Sequence, residues 1–386
     1  MSLKTHLTLK KAVAITINNF TLIPVCRFVI ELLSTRFSLS VTECKIKGSY
    51  TFEQYGELRY LASFENKSAF FKQSLYKKLY KYAHLYGHVF YFLFIKRVHI
   101  LYTPDIHVLS VVFFLSRFMN RRVSIIYHQF ELLDPALIRG KNLKLWNKLA
   151  RHINKVNLCI FPEVNRLIFF CDKTGFDQTK CMVFANSCRS QNESRIRPEK
   201  LKNIPSGDLV IAHVGNAGAN HYLSSFLSFV NQMNPQGNVH FLMIGGFSSD
   251  VLNMLKEVQN KNFYIIGEVS HSELSNYYSF IDIGFILYRG LDLNLEFCAP
   301  NKLYEYWSHG IYVIAHPLKG LAEVIKDNKM GMLVNLENTI EIEAAVQSFT
   351  SIPGGEIRQY IRMGFDSRYS IADGIGLLNE RLDEFA

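Results

Sequence analysis

The chain contains no Cys-x-x-Cys pair. Its seven cysteines, at positions 26, 44, 159, 171, 181, 188 and 298, are odd in number and irregularly spaced, which gives neither a zinc-binding pattern nor a disulfide framework and leaves reduced thiols as the expectation. Long apolar runs are also missing. The longest stretch, near Val89–Ile95, falls well short of the roughly 20 residues that a membrane-spanning helix needs. No secretory leader is evident and no short-period repeat is visible, so a cytoplasmic protein, at most peripheral to a membrane, is expected. The net charge of +10 comes with no nucleic-acid recognition motif, so phosphate-rich substrates or an anionic surface are the expected partners, and nucleic acid is not. Acids are absent altogether between Asn66 and Pro104.

The 386 residues, 48% of them hydrophobic, suffice for two domains with cores of their own. Short apolar runs alternate with amphipathic stretches. Ala12–Ile17, Val98–Tyr102, Val123–Tyr127 and Leu158–Phe161 read as strands, with helices over Leu22–Leu33, Ile106–Met119 and Pro162–Phe170. The second half repeats the scheme with strands at Leu209–Val214, Val239–Ile244, Phe263–Ile266, Ile281–Leu287, Ile311–Ala315 and Met332–Val334. Such alternation predicts an α/β protein of parallel, doubly wound sheets. Residues 1–190 and 208–365 are the expected domains, facing each other across a cleft. The Ser-, Asn- and Pro-containing stretch 191–207 is the expected linker, and an amphipathic tail over 366–386 is expected to pack back on the first domain.

The densest local signal lies at 298–325. Cys-Ala-Pro-Asn-Lys-Leu-Tyr-Glu-Tyr-Trp at 298–307 is followed by Gly310-Ile-Tyr-Val-Ile-Ala-His316 and Leu321-Ala-Glu-Val-Ile325. It reads as a loop, a short helix carrying Lys302 and Glu305 on one face, a glycine stop, a buried strand and a further helix. Upstream, strand 209–214 runs into Gly215-Asn216-Ala-Gly-Ala-Asn220, where glycine lets backbone N–H groups approach a phosphate at a helix start.

The pattern at 298–325 resembles the donor-sugar half of GT-B glycosyltransferases, in particular the bacterial family 4, or group 1, enzymes. The resemblance implies two Rossmann-like domains and transfer of a sugar from a nucleotide-diphospho-sugar to a hydroxyl acceptor, as in capsule, O-antigen or exopolysaccharide synthesis. It implies retention of configuration and no metal or other cofactor beyond the donor substrate. Glu305 would hold the ribose; Lys302 and Arg289 would balance the charge growing on the departing diphosphate. Gly215, Asn216, Gly267, Asn301 and Leu303 would complete the donor site. On the acceptor side, Asp105 ends one strand and the tip Tyr127-His128-Gln-Phe-Glu131 ends the next, which would place His128 beside the reacting sugar. Two departures stand out. The 216–221 loop carries neither the Arg nor the Lys common in the family, and Phe297 occupies the place of a first glutamate, with Glu296 one residue off.

Two basic stretches suit an anionic membrane surface. In one, Lys67, Lys72, Lys77, Lys78 and Lys81 alternate with aromatics; in the other, Lys144, Lys148, Arg151 and Lys155 recur at helical spacing. A nucleotide-sugar epimerase of the same fold and a non-catalytic nucleotide-binding subunit are the alternative readings.

Overall fold

The computed structural model describes residues 9–191, 196–233, 237–351 and 354–385. The chain divides into two compact units, Met1–Phe184 with Gly374–Ala386, and Ala185–Asp373.

The first unit is built on seven parallel strands, β1 Lys11–Ile15, β2 Ser38–Ile46, β3 Glu57–Phe64, β4 Ile100–Thr103, β5 Ser124–His128, β6 Leu158–Phe161 and β7 Cys181–Val183. They lie in the order β3-β2-β1-β4-β5-β6-β7. The second unit has six, β8 Leu209–Val214, β9 Val239–Ile244, β10 Phe263–Gly267, β11 Ile283–Ile286, β12 Tyr312–Ala315 and β13 Gly331–Leu333, in the order β10-β9-β8-β11-β12-β13. Central strands are apolar from end to end because both faces are covered: every residue of β4, β6, β11 and β12 is buried. In each sheet the order reverses beside its first strand, between β1 and β4 and between β8 and β11. Ligands of open α/β sheets collect at the carboxyl ends of strands at such points.

Helix ends follow local chemistry. Glu163 accepts from the N–H groups of Asn165 and Arg166 at the start of helix Val164–Thr174, which stops at Gly175 with φ +67°. Ser270 and Glu273 form a reciprocal cap on helix His271–Tyr278.

Several expectations need correction. β2, β3 and β7 have no counterpart in the sequence reading. β2 carries Ser, Thr, Glu and Lys among its apolar residues, and Thr42 and Glu43 are buried with them, so no clean two-residue period marks it. Of the stretch 191–207 expected as a linker, residues 192–195 lie outside the described residues, and the part from 196 on is not free. Glu199–Leu201 forms a helical turn, and Leu201 and Ile204 are buried in the core of the second unit. The C-terminal helix is Ile371–Asp383, shorter than 366–386, because residues up to Arg368 finish the preceding helix. From Gly374 the chain belongs to the first unit, where Arg36 bonds Asn379 and Asp383.

Candidate functional site

In the second unit, the switch point is the end of β8 and β11. β8 turns at Gly215, with φ +109°, a conformation that favours glycine. The loop after β9 presses on this turn: a Cβ at Gly245 would lie 2.3 Å from the Gly215 carbonyl oxygen. Helix Asn301–Ser308 is fastened beside it by Tyr306, whose hydroxyl accepts the N–H of Val214 at 3.0 Å. The Tyr306 ring lies where a Cβ on Gly284 would be, 2.6 Å away, so the helix reaches the sheet only because β11 carries glycine there. At the helix mouth, Asn186 donates to the Ala299 carbonyl at 2.8 Å.

This packing places Lys302 in the turn. Its Nζ lies 3.1 Å from the position a Cβ on Gly215 would take and 5.0 Å from the centre of the Tyr288 ring. The residue is 9% exposed. Burial pulls its pKa down to about 8, against the opposing pull of Glu305. Among the described residues, no carboxylate lies within ion-pair distance of Nζ. Glu305 stands one turn further along, half-buried, and its carboxylate accepts a hydrogen bond from the Tyr278 hydroxyl at 2.7 Å. The turn therefore holds a desolvated cation without a counterion, and beside it a carboxylate fixed by a buried tyrosine.

The surrounding groups add no second cation. His221 packs against Tyr288 and His213, and burial together with the Lys302 charge lowers its pKa to about 4. Neither of its ring nitrogens has a partner. Arg289, expected to face the diphosphate, lies over Tyr222 and approaches Glu337 at 3.9 Å, so its charge is turned toward that acid. Leu303 is core, 1% exposed, and its side chain offers nothing to a ligand. Asn301 opens the helix, half-buried, beside Lys302. Asn216 and Glu268 flank Gly246, and the Gly245 N–H donates to the Gly267 carbonyl at 2.9 Å, which brings the ends of β9 and β10 to the same rim. Glu296 accepts from the Lys319 N–H at 3.4 Å. A cavity of about 570 Å³ opens at the opposite, amino ends of these strands, where Arg358 is bonded to Asp282 and to the carbonyls of Ile281 and His309.

In the first unit the expected acceptor residues take other roles. The Asp105 carboxylate accepts from the Thr16 hydroxyl, from the Ile17 N–H at 2.8 Å and from Asn18 at 3.3 Å; it ties the loop after β1 to β4 across the switch point. His128 is fully buried. Its Nδ1 meets the Tyr102 hydroxyl at 3.0 Å, Phe130 stacks on its ring at 4.0 Å, and burial lowers its pKa to about 3. As the last residue of β5 it is enclosed by the sheet's packing, and its Nε2 has no hydrogen-bond partner. Glu131 lies exposed in the loop that follows.

The sequence reading gave no role to Tyr278 and Tyr288, and none to Tyr306 beyond its place in the 298–307 pattern, although they support Lys302 and Glu305. Their partners lie in other elements, which no local signal encodes. It also gave no role to Lys81 beyond surface charge. Lys81 is 6% exposed and faces Phe70 and Tyr82; its burial on a helix face with Leu85 and Val89 could have been found from the four-residue spacing.

Two doubly wound parallel sheets in one chain, with a cation and an acid one turn apart at the second switch point, define the GT-B fold. Residues 208–351, within the second unit, match the family described as Glycosyl transferases group 1. The fold is shared with Anabaena HepE in complex with UDP (13% identity, TM-score 0.71, 97% of this chain and 100% of that one). It is shared equally with sucrose-phosphate synthase from Thermosynechococcus elongatus (12%, TM-score 0.71, 98% and 100%). A putative UDP-N-acetylglucosamine 2-epimerase from Listeria monocytogenes also has it (10%, TM-score 0.62, 97% and 96%). No curated protein matches the chain. Among the described residues, no helix is long and apolar enough to cross a membrane.

Proposed function

We propose that the protein is a glycosyltransferase that moves a sugar from a nucleotide-diphospho-sugar to a hydroxyl of a growing glycan, with retention and without a metal. One observation carries the reading: the uncompensated Lys302 cation in the Gly215 turn, one helical turn from Glu305. A buried lysine without a counterion is costly and is matched by a ligand that brings negative charge. A diphosphate has that charge, and backbone N–H groups at a glycine turn suit it.

In the proposed reaction the bond between the anomeric carbon and the diphosphate oxygen breaks. Its electron pair leaves with the diphosphate, and Lys302 stabilises the charge that develops there. The acceptor oxygen bonds to the anomeric carbon on the face the diphosphate leaves and gives its proton to the departing diphosphate oxygen. Glu305, oriented by Tyr278, holds the nucleoside's ribose hydroxyls and fixes the donor in register. The match of the second unit to a glycosyltransferase family, and the UDP complex of the Anabaena relative, support a nucleotide-sugar donor.

Calorimetric titration with UDP, GDP, ADP and CMP tests the donor reading directly: one of the diphosphates should bind and raise the melting temperature. Incubation of the matching sugar nucleotide with and without glycan acceptors then separates the rival readings. Transfer supports the proposal, epimerised sugar nucleotide without acceptor supports the epimerase, and binding with no turnover supports a non-catalytic subunit.

A further inference from the structure

Of the two basic stretches in the first unit, the structure separates one from the other. On helix Gly140–His152, Trp146 and Leu149 are buried in the core. Lys148 donates to the carbonyl and the hydroxyl of Ser110, each at 2.8 Å, and Lys155 to the Ser116 hydroxyl at 3.1 Å. Its apolar side is spent on the fold, and of the four cations expected to form the surface, Lys148 on the helix and Lys155 just beyond it are engaged. The surface expected at Lys144, Lys148, Arg151 and Lys155 is thus an ordinary charged face.

Helix Leu75–Phe90 is different. Lys81, Leu85 and Val89 form its buried side. On the opposite side Leu75, Leu79, Ala83, Tyr86 and Phe90 recur three or four residues apart, with Tyr76 and Tyr80 alongside, and all are exposed. Leu75 and Tyr76 are 73% and 76% exposed. Phe71 extends the patch before the helix and Ile95 after it, both exposed. This outward arc carries no charged side chain. A helix apolar on both sides is normally covered, and an exposed patch of this kind marks a contact surface.

We propose that the outward face of helix Leu75–Phe90, with Phe71 and Ile95, docks on an anionic lipid bilayer. Charge complementarity selects this occupant. Lys67, Lys72, Lys77 and Lys78 are exposed around the patch, and among the described residues none of them is paired with a carboxylate. The segment between Asn66 and Pro104 has no acid of its own. A second copy of this face would set lysines against lysines, whereas anionic headgroups attract each of them. Leucine and phenylalanine enter the acyl boundary, and tyrosine hydroxyls stay at headgroup level. The inference does not depend on the nucleotide-sugar reading, since docking requires no donor.

Flotation of the full chain with phosphatidylglycerol/phosphatidylcholine vesicles, and with phosphatidylcholine alone, tests it. The chain should bind the mixed vesicles, release on added salt, and bind the neutral ones at least tenfold more weakly. Leu75→Ser with Leu79→Ser, and Lys77→Glu with Lys78→Glu, should each weaken binding about tenfold or more while leaving the melting temperature unchanged, because all four side chains are exposed. Lys144→Glu with Arg151→Glu should bind as the parent does. Trp146 and Trp307, the two native tryptophans, are buried, so Tyr76→Trp supplies a local reporter whose emission should shift to the blue on vesicle binding. Absence of vesicle binding overturns the proposal. So does equal binding by the parent and both patch variants, or concentration-dependent dimerisation that Leu75→Ser with Leu79→Ser abolishes while vesicles have no effect.

Discussion

Lys302 and Glu305 stand one turn apart on the same short helix and do not pair. The carboxylate of Glu305 is taken up by the Tyr278 hydroxyl at 2.7 Å. The ammonium of Lys302 sits instead over Tyr288 and against the Gly215 turn. Two opposite charges at helical spacing would ordinarily make an exposed pair of small value. Here each is held apart, and in the proposed reaction each has a separate task, Lys302 toward the diphosphate and Glu305 toward the nucleoside.

The separation makes Lys302 a cost to the fold. Its pKa lies at about 8, whereas an unfolded lysine keeps its proton to about 10.4. Between these values the unfolded chain binds more protons, so stability should rise with pH across that window. Lys302→Met should raise stability at pH 7 by about 1–3 kcal/mol and remove this rise, and it should weaken nucleotide binding at least tenfold. In the parent, nucleotide affinity should fall as pH increases through 8. Thermal melts and calorimetry between pH 6 and pH 10 check both effects.

Glu305 has two separable roles. Glu305→Ala leaves the buried Tyr278 hydroxyl without its acceptor, which should cost about 1–2 kcal/mol of stability, and also removes the proposed ribose contact. Glu305→Gln keeps an acceptor oxygen for Tyr278 and should restore the melting temperature but not the nucleotide affinity. Calorimetry with the best-binding nucleotide, set beside the melts, tells the two apart.

Gly215→Ala should harm binding more than folding. The φ of +109° is strained for alanine, and the added methyl would sit 3.1 Å from Lys302 Nζ. The lysine's flexible end can move, so the stability loss should be about 1–2 kcal/mol, while nucleotide affinity should drop about tenfold or more as the cation leaves the turn. An unchanged affinity would remove the Gly215 turn from the donor site.

Glu43 is a buried carboxyl on β2 whose pKa is raised by burial to about 7, its N–H partner from Phe20 at 2.8 Å notwithstanding. The folded chain therefore holds a proton there that an unfolded glutamate releases near 4.3. That contribution is complete below about pH 4.3 and is lost as pH rises through 7, so stability should decline across this interval by up to about 3 kcal/mol. Glu43→Gln keeps the acceptor for Phe20 and should flatten the decline, which denaturant titrations at pH 5 and pH 8 would register.

His128 should prove structural. With a pKa of about 3 it stays neutral across the working range and can supply no titration between pH 5 and pH 8. His128→Phe should leave nucleotide affinity unchanged and cost about 1 kcal/mol through the lost contact with Tyr102, whose hydroxyl keeps Cys26 as an acceptor at 3.1 Å. A large fall in turnover with unaltered stability would instead return the residue to the reacting sugar.

The readable parts of the chain were those with local periods. Unbroken apolar runs such as Leu158–Phe161 and Ile311–Ala315 announced parallel strands, and the spacing of Lys302 and Glu305 put them on one helical face. β2 escaped because buried Thr42 and Glu43 interrupt its apolar pattern. Glu43 receives the Phe20 N–H, a contact that no period encodes, while the buried Thr42 hydroxyl has no hydrogen-bond partner. The burial of His128 was not legible because a strand-end histidine has the same local sequence whether its ring faces solvent or packs between Tyr102 and Phe130.

What the sequence determined by itself was the alternation of strands and helices, the glycine turn after β8 and the acid-free segment before Asp105, since each is written in neighbouring residues. Tertiary structure alone decided that Tyr278, 27 positions away, takes the Glu305 carboxylate. It likewise decided that Tyr306 fastens its helix to Val214, 92 positions away, and that one basic helix spends its apolar side on the core while the other leaves it bare. Hydrogen-bond partners and burial depend on which distant segments the sheets bring together, and a local period carries no information about that.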